Sequence, residues 1–106
     1  MAINSEYTLK ISKPVAASQD VYDKILETRK KAETLLEKTR ILFKDFPHPF
    51  DLARFWNLHN TYLFAIREAA LNDNLFELEG LLGTVQTFDT YVRAEHAKLN
   101  KGFFSH

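Results

Sequence analysis

The chain has 106 residues, room for one domain, and its 45% hydrophobic and 26% charged residues suit a buried core rather than disorder. Fourteen Lys and Arg cancel fourteen Asp and Glu, which removes the basic footprint of a general nucleic-acid or anionic-membrane binder. With no Cys there are no disulfides, thiolate metal sites or cysteine nucleophiles; with no signal-peptide run around Glu6 and Lys10 and no membrane-length apolar window, the chain is expected to be soluble and cytoplasmic.

Three Gly and three Pro are too few for a many-turned β-sandwich, so the expected fold is all-α: an antiparallel three-helix bundle preceded by an extended N-terminal arm. The arm covers residues 1–17, the bundle 18–100 and an aromatic tail with Phe103 and Phe104 residues 101–106. In the arm, Tyr7, Leu9 and Ile11 alternate with Thr8, Lys10 and Ser12, the period of a strand. It lies in a groove of the bundle or pairs with an edge on another chain.

Helix one is expected over about residues 18–45, with Ser18 as N-cap and Asp20 and Asp23 in its first turn. Val21, Ile25, Ala32, Leu35, Leu36, Leu42, Phe43 and Phe46 form its apolar stripe, and Phe46-Pro47-His48-Pro49 stops it. Helix two, about 50–72, carries Leu52, Phe55, Trp56, His59, Tyr62, Leu63, Ile66, Ala69 and Ala70 on one face. Asn74 with Glu77 reads as a capping-box-like start for helix three, whose Leu75, Leu78, Leu82, Val85, Val92, His96 and Leu99 repeat at near-heptad spacing towards a stop at Gly102. Three such helices joined by short turns pack up-down-up.

Charge is uneven along the chain: residues 20–44 hold seven basic and five acidic side chains, residues 68–95 one basic and six acidic. Either helix one faces helix three with opposite signs, or the acidic surface awaits a basic partner segment. Six apolar side chains fall off the core stripes: Leu26 and Ile41 on helix one, Phe64 and Leu71 on helix two, Phe76 and Tyr91 on helix three. Phe64 and Leu71, seven residues apart, share a second face that the arm, the tail, a second copy of the chain or another protein would cover. Gly80 and Gly83 inside helix three imply either close packing by Trp56 or Phe43 or a flexible joint.

Catalytic chemistry finds no constellation. His59 and His96 lie on the core stripes of different helices with Glu95 or Asp89 in reach, but no helix offers the paired ligands of bundle metal sites, so hydrogen-bonded histidines and no metal or cofactor are expected. Arg54 and His59 have the Arg-x4-His spacing of HEPN-type ribonucleases, with Phe55 in place of the polar residue that often follows the Arg. Seven aromatic residues between Phe43 and Phe64 have core spacing rather than the interleaved basic residues of a base-stacking platform.

The run from Leu58 to Asn74, with Glu68-Ala69-Ala70-Leu71-Asn72-Asp73, followed by Leu78-Glu79 and Leu81-Leu82, resembles the last two helices of FliS-type flagellar secretion chaperones over residues 52–92, with Phe88 where that family has Trp. The resemblance implies an antiparallel bundle whose exposed apolar grooves hold a secreted subunit's terminal helix and block premature polymerisation, with Phe64 and Leu71 as groove residues. The expectation is a non-enzymatic protein-binding adaptor, chaperone-like or inhibitory, that uses Phe64, Leu71, Phe76, Tyr91, Leu26 and Ile41 and binds neither nucleic acid nor membrane. A homo-oligomeric structural subunit and an Arg54/His59 ribonuclease are the alternatives.

Overall fold

The computed structural model describes the backbone of residues 2–104 and the side chains of residues 19–99. It contains α1 over Ala2–Ile41, a 3-10 turn over Leu42–Asp45, α2 over Pro49–Leu71 and α3 over Leu75–Phe104. The domain is all-α, with three helices and no strand among the described residues.

Local chemistry explains the breaks. Phe46 stands before Pro47 and is extended, with φ −83° and ψ 119°, because a helical residue there would clash with the proline ring. Pro49 opens α2, where its missing N–H costs nothing. At the other end of α2, the N–H of Asn74 donates to the Ala69 carbonyl at 2.9 Å and that of Asp73 to Ala70 at 3.1 Å. These are the two bonds of a Schellman ending, and they hold Asp73 at φ 54°. Asn74 then caps α3: its side-chain oxygen accepts the Glu77 N–H at 3.1 Å, and its amide donates to the Glu77 carboxylate at 3.0 Å.

Two expected boundaries differ. The segment expected as an extended arm, 1–17, enters α1 as helix from Ala2, so Ser18 is inside a helix and not at its cap. A lone alternating segment has no strand to pair with, whereas a helix satisfies its own backbone groups. How its side chains pack lies outside the described residues. Likewise α3 passes Gly102 to reach Phe104, since one glycine costs a helix only about 1 kcal/mol; the side chains of the aromatic tail also lie outside the described residues.

The bundle register can be read from contacts between α1 and α3. Thr39 meets Asp89 and Asp45 meets His96, so the two helices advance together and run parallel, with α2 antiparallel to both. The core is built largely from heptad-like positions: Ile25, Ala32 and Leu36 from α1, Phe43 from the 3-10 turn with Phe46 just after it, Phe55, Ile66 and Ala69 from α2, Leu78, Val85 and Val92 from α3, with Phe88 between the last two. Phe43 and Phe55 stack at 5.6 Å, Phe46 meets Phe55 edge-on at 4.9 Å, and Phe88 closes the cluster against Tyr62 at 5.4 Å. Val21, expected in the core, is exposed: on the register above it lies beyond the point where α3 begins at Leu75.

Candidate functional site

The third helix of a bundle fills one side of a helical pair and leaves a trough on the other. Here α3 covers one side of α1 and α2, and a groove of about 750 Å³ runs along the opposite side. Leu36 and Leu63 form its floor and Leu26 its α1 bank. On α2, turning about 100° per residue from Leu63 and Arg67 brings Leu71 and then Phe64 onto the adjoining flank. Leu26 is 49% exposed, Phe64 68% and Leu71 75%. The core is complete without them, and no buried side-chain polar atom among the described residues lacks a partner.

The other singled-out side chains lie elsewhere. Ile41, also half exposed, lines a smaller recess of about 350 Å³ with Trp56 and Leu52 farther along the same α1 and α2 side. Phe76, at 88%, projects from the first turn of α3. Tyr91 is held by its own chain: Arg54 donates to its hydroxyl at 3.0 Å and lies 5.6 Å over its ring, while Phe55 meets it edge-on. Of the six residues, then, Leu26 lines this groove, Phe64 and Leu71 share the solvent-facing flank of α2 next to it, and the other three stand apart.

The charges at the groove are selectively paired. Arg29 bonds Glu33 at 2.6 Å, and Arg40 clasps Glu37 through both carboxylate oxygens. The Arg40 hydrogen bond holds the Glu37 carboxyl below its ordinary pKa, and raises that of Arg40 in return. Lys30, Lys38 and Arg67 line the same groove, and among the described residues no carboxylate lies within ion-pair distance of them. Helix one does lie beside helix three, and among the described residues no Lys or Arg of α1 forms an ion pair with a carboxylate of α3. The Arg and Lys ion pairs of α1 are with its own Glu side chains, and Asp89 of α3 pairs with Arg93. Side chains four residues apart meet without bending either helix, so the local pairing wins.

The histidines do not form a joint site. His59 is buried between the edges of Phe43 and Trp56, with Nδ1 3.2 Å from Asn60 Oδ1. His96 Nε2 lies 2.7 Å from Asp45 Oδ2 and ties α3 to the 3-10 turn. Arg54 faces Asp51 and Tyr91 on the α3 side, whereas His59 backs the α1 groove, so one copy of the chain does not bring these two together. No cluster of three metal-ligating side chains occurs among the described residues.

Gly80 and Gly83 correct a packing expectation. Neither Trp56 nor Phe43 covers them; a Cβ at either position would meet nothing within 4 Å. Both aromatic rings are turned into the cluster around Phe55, His59 and Phe88. Two buried contributors had escaped the sequence pattern. Phe88 falls between the heptad positions Val85 and Val92, and Thr39 is a polar residue on an apolar stripe, legible only as one i+3 or i+4 step from Leu36 and Phe43.

These features define a three-helix all-α domain with an open groove on its α1 and α2 side. Comparison with protein-family models, curated proteins and solved structures finds no match. Among the described residues no helix is long and apolar enough to cross a membrane.

Proposed function

We propose that this chain is a non-enzymatic helical adaptor, chaperone-like or inhibitory, which acts in the cytoplasm and captures a segment of another protein through its apolar helix faces. The observation that carries the reading is the exposed apolar pair Phe64 and Leu71 on the outer flank of α2, beside an α1 and α2 groove lined by Leu26, Leu36 and Leu63 that the chain's own described residues leave open. Exposed apolar clusters of this kind lower their free energy by accepting a partner surface. The FliS-type resemblance points the same way and rests on the matching residues within 52–92 alone.

The test is a native-lysate pull-down compared with a Phe64→Asp, Leu71→Asp double variant. Both residues are exposed, so helicity and melting are expected to survive while a stoichiometric partner is lost. Retention of the partner, or unfolding of the variant, overturns the reading. A second reading, a homo-oligomeric structural subunit, is favoured by the bare backbone at Gly80 and Gly83 beside exposed Phe76. A mass that rises with concentration and falls with Phe76→Asp supports it; a monomer at tens of micromolar, on the order of usual dimer affinities, excludes it.

A further inference from the structure

We infer that the occupant of the α1 and α2 groove is an amphipathic helix from a partner protein whose apolar seam is flanked by Asp and Glu. This rests on the protein-binding reading above and names the chemistry of the partner. Two parallel banks with an apolar floor accept a helix as a bundle accepts its fourth member, side chains of the guest seating between Leu36 and Leu63. What selects the guest is the charge left over on the rim. Glu33 and Glu37 are already neutralised by Arg29 and Arg40. Lys30, Lys38 and Arg67 have no such partner among the described residues, and all three are exposed. A guest with basic flanks would meet three like charges, and one with acidic flanks would pair with them.

Neither residues 1–18 nor residues 98–106 carry that acidic pattern. Residues 1–18 carry Glu6 against Lys10 and Lys13, and residues 98–106 carry Lys98 and Lys101 with no carboxylate side chain. The acidic stretch, residues 68–95, is already built into the end of α2 and into α3.

The full chain is titrated with two synthetic amphipathic peptides of about 20 residues, long enough to span the groove as a helix. They share one Leu seam and differ only in Glu or Lys flanks, and binding is read by fluorescence anisotropy. The Glu peptide is expected to bind at least about tenfold tighter, with the preference shrinking as salt rises past about 0.15 M. Lys30→Glu with Arg67→Glu should reverse the preference at unchanged circular dichroism. Equal binding of both peptides overturns the acidic-partner inference; if that binding is lost in the Phe64→Asp, Leu71→Asp variant, the protein-binding reading stands. Binding of neither peptide overturns the inference, as does self-association that is abolished by Leu26→Asp, since a second copy then fills the groove. Leu26→Asp, within the groove lining itself, should weaken the Glu peptide at unchanged circular dichroism; unchanged binding would place the peptide elsewhere and overturn the inference.

Discussion

Asp73 is a residue whose backbone and side chain disagree. Its φ of 54° is the left-handed region, which costs an L-residue roughly 1–2 kcal/mol and is eased but not cancelled for Asp. Asp73→Gly is expected to stabilise by about 0.5 kcal/mol once glycine's extra unfolded-state freedom is subtracted, a rise of a few degrees in Tm by calorimetry. Thr39 shows the opposite case, a polar residue that its surroundings demand. Its hydroxyl is fully buried, 2.6 Å from Asp89 Oδ1 and 2.8 Å from the Leu35 carbonyl, with one proton for two acceptors. Thr39→Val keeps the shape and removes the donor, so a loss of about 1.5–3 kcal/mol in urea denaturation is expected, the range for hydrogen bonds to charged groups. Thr39→Ser keeps the donor and should lose only about 1 kcal/mol, for the methyl. The Asp89 contact was not legible from one sequence, because a hydrogen bond between residues 50 apart leaves no local periodic signal. Leu26, Phe64 and Leu71 were legible as misfits, since a side chain off the core stripe is identified by its angle on its own helix.

At the scale of elements, the outer face of α3 between Phe76 and Tyr91 is without bulk. Thr84, Thr87 and Thr90 each donate to the carbonyl four residues earlier, at 3.1, 3.1 and 2.9 Å, so their hydroxyls are satisfied within the helix. Between them Gly80 and Gly83 leave backbone open. Gly80→Ala and Gly83→Ala are each expected to raise the unfolding free energy by about 1 kcal/mol, because alanine orders less chain entropy and meets no neighbour. Chemical denaturation of the single and double variants reads this directly; a loss of stability would mean that something packs on that face. The turns between elements were readable because their signals are local: Pro47 and Pro49, and the Asn72 to Asn74 run with Glu77. The start of α1 was not, because alternation over six residues is compatible with a strand only when a second strand exists to receive it.

For the whole molecule, the aromatic cluster at the 3-10 turn end is where the three helices are joined. Phe55 touches Phe43, Phe46, Phe88 and Tyr91 and is 1% exposed. Phe55→Ala is expected to cost about 3–5 kcal/mol, a large share of the roughly 5–15 kcal/mol that keeps a domain folded, seen as a sharply lowered urea midpoint. By contrast Glu37→Gln, which breaks a solvent-exposed pair with Arg40, should leave that midpoint nearly unchanged, as screened surface pairs contribute little. The difference follows from burial: removing the ring leaves a cavity inside, while water replaces the lost partner outside.

The sequence by itself determined the all-α class, the three helices, most of the core stripe and both inter-helix turns, since periodicity, proline and capping chemistry act within a few residues. Tertiary structure alone decided the register that joins Thr39 to Asp89 and Asp45 to His96, the separation of Arg54 from His59, and the bare outer face at Gly80 and Gly83. It also decided that Leu26 and Leu36, from one helix, and Leu63, from another, line one groove together with Lys30, Lys38 and Arg67, three cations without an ion-pair partner among the described residues. Each of these depends on how helices rotate and slide against one another, and that is set by packing between residues far apart in the chain.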